Sequence, residues 1–180
     1  MGIPFSRHLP TYARGYSGVM AWLPQRDGVT CGPSVAVMAG ALLDARYGAP
    51  LNSAAARQWF DSEQGRVHRM VNTVWPRALG TTPVGMARAL SAHGTAYRWR
   101  LAGRGLADVC SAVGASQPVA MLIGTVIPRH WVLLTELRGA IFRCYEPSSG
   151  RLVPVGADDI RAGSVRGLGF PRPFAFVLPA

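Results

Sequence analysis

Gln25-Arg26-Asp27-Gly28-Val29-Thr30-Cys31-Gly32-Pro33-Ser34 decides how this chain is read. Asp27 and Gly28 are turn formers, and the apolar run from Val35 to Leu43 follows at once. The spacing predicts a helix from Cys31 to about Tyr47, ended by Gly48 and Pro50. Pro33 fits its first turn, where an N–H has no intrahelical partner. Val35, Val37, Met38, Ala39, Leu42 and Leu43 make it apolar over much of its circumference, which implies burial in the middle of the fold. A cysteine is thus set at a helix start, where partial positive charge and free N–H groups favour thiolates. Gln25, six residues upstream, carries a side-chain amide able to donate to an oxyanion.

A nucleophilic thiol needs a base, and the base needs a group to orient it. The chain has four histidines. His8 lies in a proline-rich arm, His68 is flanked by arginines in a helical stretch, and His93 precedes a helix-stopping Gly94. His130 opens the strand-like run Trp131-Val132-Leu133-Leu134, which would hold it rigidly at the lip of a buried strand. The next strand ends at Tyr145-Glu146-Pro147, and in a hairpin His130 and Glu146 can lie side by side. Each residue alone has an ordinary reading: a buried thiol, a strand-end histidine, a turn carboxylate. It is their combination that points to thiol chemistry.

Three segments resemble the papain-like cysteine peptidases, and within them the domains that cut double-glycine leaders from bacteriocins and their small bacterial relatives. They are Gln25 to Ser34, His130-Trp131-Val132-Leu133, and Tyr145-Glu146-Pro147-Ser148-Ser149-Gly150. The order cysteine, histidine, acid agrees, as does the 16-residue step from His130 to Glu146. The resemblance implies Cys31 as nucleophile, His130 as base, Glu146 as orienting acid and Gln25 as oxyanion donor. The family usually carries aspartate where Glu146 stands, so Asp158 or Asp159 is the alternative acid. The segment from Asn52 to His93 matches no motif of the leader peptidases.

Outward from these segments, residues 1–24 read as an arm with one short strand at Val19–Leu23. Asn52 or Ser53 caps a helix through Trp59-Phe60 to about Gln64. A further helical stretch over residues 66–80 is interrupted by Pro76. Thr82-Pro83 starts a helix over Val84–His93. After Ala96 the pattern changes. Tyr97–Leu101 alternates like a strand and Leu106–Val113 has helical spacing. Val119–Ile123, His130–Leu137, Ala140–Tyr145 and Phe174–Leu178 read as strands, with a helical turn at Ala157–Arg161. Short links make such strands antiparallel. The expectation is one α+β domain over residues 1–180, papain-like, with a helical N-terminal half packed on a C-terminal antiparallel sheet.

Composition narrows the function. All 19 basic residues are arginine, against nine acids, for a net charge of +10. The arginines are scattered singly, so no specific nucleic-acid partner is expected, only salt-sensitive attraction to polyanions. Cys31, Cys110 and Cys144 are too widely spaced for a zinc site or a disulfide framework, and no cofactor or metal is expected. The sparse thiols, with no secretory signal and no run long enough to span a membrane, point to a reducing cytoplasmic setting. Met1-Gly2-Ile3-Pro4-Phe5-Ser6 fits the loose myristoylation pattern, which is often matched by chance. The function expected is a cysteine-dependent hydrolase or acyl transferase on a peptide or protein substrate. The alternative is an inactive peptide-binding module on the same fold.

Overall fold

The computed structural model describes residues 20–72, 80–103 and 105–180. The arm's first 19 residues, His8, and Val74, Trp75, Pro76 and Leu79 of the interrupted helix lie outside them.

The nucleophile-bearing helix α1 runs Cys31–Leu43 and is buried over its first eleven residues. It stops earlier than the sequence suggests. Asp44 leaves helical geometry, and its carboxylate accepts from the amides of Arg46 and Tyr47 to start a separate short helix, α2 (Ala45–Gly48). Aspartate competes for backbone donors in this way, which favours caps over helix interiors. A 3-10 turn over Ala49–Asn52 follows. Helix α3 then spans Ala56–Val71 without a break, where the sequence suggested two segments. Ser53 does not cap it. Its hydroxyl donates to Pro50 O at 2.8 Å and accepts from Ala55 N at 3.2 Å, closing a turn of its own. Gly65 costs the helix interior about 1 kcal/mol relative to alanine. A Cβ there would stand 3.0 Å from Arg26 Nη1, so the guanidinium tip would have to give by a few tenths of an ångström. Helix α4 (Pro83–Ser91) has the expected cap: Thr82 Oγ1 accepts from Gly85 N.

The described residues hold six strands: β1 (Tyr97–Leu101), β2 (Val119–Gly124), β3 (Pro128–Arg138), β4 (Ile141–Glu146), β5 (Arg151–Gly156) and β6 (Arg172–Pro179). They form one antiparallel sheet in the order β1-β6-β2-β3-β4-β5. The last strand inserts between the first and second. Strand β5 was not evident in the sequence because Pro154 interrupts it. It lies at the sheet edge, where proline's missing N–H removes no ladder bond. No strand forms over 20–23.

The sheet is covered on both faces. Ala120, Leu122, Trp131, Leu133 and Tyr145 pack with α1, α3 and α4 in one core. Val119, Met121, Ile123, Val132, Leu134 and Cys144 pack on the other side with α5 (Leu106–Gly114) and α6 (Ala157–Ala162). Strand β2 is buried along its whole length, as expected of a strand covered twice. The helical half thus lies on one face of the sheet, and α5 and α6 add a layer on the other.

One irregularity sets the site. Near their turn, β3 and β4 pair Arg138 with Ile141 and Glu136 with Arg143. Beyond Thr135 the register slips by one, to Leu134 with Cys144 and Leu133 with Tyr145. A one-residue bulge exchanges the faces of the strand that carries it. Here it turns Trp131 toward α1 and puts His130 on the face that Glu146 occupies on β4.

Candidate active site

Cys31 is the first residue of α1 and is 5% exposed. No side chain caps this helix. The hydroxyl of Thr30, the cap residue, is turned back into the preceding loop, donating to Asp27 O at 3.1 Å and accepting from Asp27 N at 3.3 Å. The helix also has no acidic residue in its first turn. Its positive end is therefore spent neither on a side-chain cap nor on a carboxylate.

His130 is 7% exposed, and its Nε2 lies 2.8 Å from Glu146 Oε1. A carboxylate only accepts, so Nε2 carries the proton and Nδ1 is the nitrogen left for another partner. Burial alone would push the imidazole down. The neighbouring Cys31 thiol and Glu146 carboxylate outweigh burial and bring it up to about 9.

Glu146 meets the extra methylene of glutamate by folding back on its own turn. Oε1 accepts from Ser148 N and Oε2 from Ser149 N, each at 2.8 Å. Burial would raise this carboxyl, but the bond to His130 and the two amides hold it down to about 2. The alternative acids are elsewhere: Asp158 and Asp159 sit in the first turn of α6, and Asp158 pairs with Arg161.

Gln25 is held on the same turn. Its backbone N donates to Pro147 O at 2.6 Å, Tyr145 OH donates to Leu23 O at 2.6 Å, and Trp22 packs on the Tyr145 ring. Gly150 has φ +66°, and a Cβ there would lie 2.5 Å from Pro24 N, so only glycine lets the two loops meet. The Gln25 side chain gives one hydrogen of its amide to Asp27 O at 2.6 Å. Its Oε1 is buried without a partner among the described residues.

The sequence did not reveal three further residues around this centre. Gln64, fully buried on α3, accepts at Oε1 from Ser34 Oγ at 2.8 Å and from Arg26 N at 3.1 Å. It ties the first turn of α1 to the Gln25 loop. Thr81 lies against Gly32, and its carbonyl accepts from Trp131 Nε1 at 2.8 Å. A Cβ on Gly32 would stand 2.4 Å from Thr81 Oγ1, which is why glycine follows the cysteine. Arg129 stands next to His130 at the mouth of the site. Of the segment around Thr81, only Thr82-Pro83 carried a signal in the sequence.

Two hollows of about 380 and 400 Å³ meet over Cys31 and share Gly80, Ile127, Pro128 and Arg129. One bank is the Gly80–Pro83 strap and the other is the β2–β3 turn. The other described histidines, His68 and His93, are apart from this cleft. His93 packs on Tyr47, with ring centroids 4.5 Å apart, and burial pushes its imidazole down. His68 Nδ1 meets Asn72 Nδ2 at 2.9 Å. Cys144 is fully buried, and burial pushes its thiol up. Among the described residues no His/Cys/Asp/Glu group could hold a metal, and no helix is long and apolar enough to cross a membrane.

No protein-family model and no curated protein matches the sequence. Solved structures do. The peptidase domain of Streptococcus ComA, a bifunctional ABC transporter of a quorum-sensing pathway, superposes with a TM-score of 0.54 at 18% identity, over 88% of this chain and 97% of that one. A double-glycine-motif protease from an AMS/PCAT transporter, solved with its leader peptide, gives 0.48 at 13% identity over 93% and 96%. The Pseudomonas avirulence protein AvrPphB gives 0.42 at 10% over 87% and 95%. The chain has the papain-like cysteine peptidase fold.

Proposed function

We propose that this chain, carrying that fold, is a cysteine-dependent amide hydrolase acting on peptides. The observation that supports the reading is the 2.8 Å pairing of His130 with Glu146 beside Cys31, the first residue of α1, which lies under the cleft. The Cys31 thiolate attacks the carbonyl carbon of the amide. The oxyanion is held by the Cys31 backbone N–H and by the amide hydrogen of Gln25 that Asp27 does not use. His130, protonated, gives its Nδ1 proton to the leaving amine as the C–N bond breaks, which leaves a thioester on Cys31. Water then attacks the thioester. His130 takes a proton from that water, the acid departs, and the thiolate–imidazolium pair is restored. Glu146 keeps Nδ1 aimed at the thiol and stabilises the imidazolium throughout. An amine in place of water would make the same site an acyl transferase.

The test is digestion of a random peptide library by the native protein and by Cys31→Ala, read by mass spectrometry. Cleavage that disappears in the variant, with a thioester adduct on Cys31 in rapidly quenched wild type, supports the reading. Retention of library peptides by both proteins without cleavage would instead make the cleft a binding module.

A further inference from the structure

We propose that the cleft selects a substrate with a carboxylate beside the amide that Cys31 attacks, and that Arg129 reads it. This names a substrate class for the site under Proposed function and rests on that reading. Arg129 lines both hollows that meet over Cys31. Arg129 is the extra residue where the β2–β3 pairing shifts from Ile123 opposite His130 to Gly124 opposite Pro128, a bulge next to the cleft of the kind that re-aims a side chain.

Among the described residues the guanidinium has no partner. All nine carboxylate side chains of the sequence fall within the described residues. Asp27, Asp61, Glu63, Asp108, Glu136, Glu146 and Asp158 are in ion pairs with other residues. Asp44 caps α2, and Asp159 lies against Gly156. Arg129 has no hydrogen bond or ion pair among the described residues, and no acid lines either hollow.

The surroundings strengthen a charge contact. Leu122, Pro83 and Trp131 form an apolar wall on one side of the cleft. The bank that carries Arg129 is a tight turn: a Cβ on Gly124 would stand 2.0 Å from Ile127 O. A cation beside an apolar wall binds an anion more strongly than one in open water, and a guanidinium matches a carboxylate with two parallel hydrogen bonds. The carboxylate can come from an acidic side chain or from a chain terminus.

The experiment measures inactivation of the native protein by acetylated tripeptide acyloxymethyl ketones. Glu, Gln or Lys is placed in turn at each position, and the adduct is mapped to Cys31. At one position Glu is expected to react roughly tenfold faster than Gln, the scale of one charged hydrogen bond. The preference disappears in Arg129→Gln and shifts to Lys in Arg129→Glu. Competition by free-acid tetrapeptides but not by their amides, without a Glu preference, assigns the carboxylate to a chain terminus. Equal rates for Glu, Gln and Lys with no free-acid effect overturn the proposal while leaving Cys31 a nucleophile. Failure of every ketone and of iodoacetamide to modify Cys31 overturns both.

Discussion

Glu146 Oε1 lies 2.8 Å from His130 Nε2 because Thr135 is bulged out of β3. Carried on without the bulge, the pairing of Glu136 with Arg143 would set Glu146 opposite Leu133, on the face away from His130. With it, histidine and acid share a face, and Trp131 turns inward to hold Thr81 against the start of α1. One extra residue in a strand therefore assembles the site from both sides.

Replacing Glu146 by Gln removes the charge but keeps the shape. A hydrogen bond to a charged group is worth about 1.5–3 kcal/mol, so hydrolysis should slow by roughly ten- to a hundredfold. In NMR titrations the His130 imidazole should titrate near 9 in the wild type and distinctly lower in the variant. An unchanged titration would remove Glu146 from the orienting role.

The pair also links stability to pH. His130 is raised from 6.5 to about 9, so its contribution is complete below 6.5 and is lost as pH rises through 9. Glu146 is lowered from 4.5 to about 2, so its contribution is complete above 4.5 and is lost as pH falls through 2. The difference in melting temperature between wild type and Glu146→Gln should be largest between pH 4.5 and 6.5 and shrink on both sides. Hydrolysis should decline as pH climbs through 9, where the proton for the leaving amine is lost.

Gly32→Ala should destabilise the protein by about 1–3 kcal/mol, the usual cost of overpacking, because its Cβ meets Thr81 and stands 3.2 Å from Trp131 Cδ1. The double change Gly32→Ala with Thr81→Gly should cost less than the sum of the two alone. Denaturant unfolding of the four proteins measures this. Strict additivity would mean that the strap does not press on the helix.

Gln64→Met keeps the volume but leaves Arg26 N without its acceptor, while Ser34 Oγ still has Thr30 O at 2.8 Å. It should cost about 1–3 kcal/mol of stability and slow alkylation of Cys31. Gln64→Glu, which keeps the acceptor, should recover the alkylation rate better than Gln64→Met. Equal rates in both would make Gln64 a packing residue only.

Much of this was legible along the chain. A turn ahead of an apolar run placed Cys31 at a helix start, and strand alternation placed His130 and Glu146 at neighbouring strand ends. What stayed hidden depends on contacts distant in sequence. β5, with Pro154 inside it, is a strand because it lies at the sheet edge. The helix expected to stop near Gln64 runs on through Gly65 to Val71. The insertion of β6 between β1 and β2, and the bulge at Thr135, leave no periodic trace. Gln64 and Arg129 look like surface residues until the fold buries one and leaves the other facing a cleft without a carboxylate.

The most direct test is competitive alkylation of the native protein by iodoacetamide at neutral pH, resolved cysteine by cysteine by mass spectrometry. Cys31 should be modified faster than Cys110, Cys144 should react only after unfolding, and the Cys31 rate should fall in His130→Ala. Protection of Cys31 until the chain unfolds, or a rate indifferent to His130→Ala, would contradict the account.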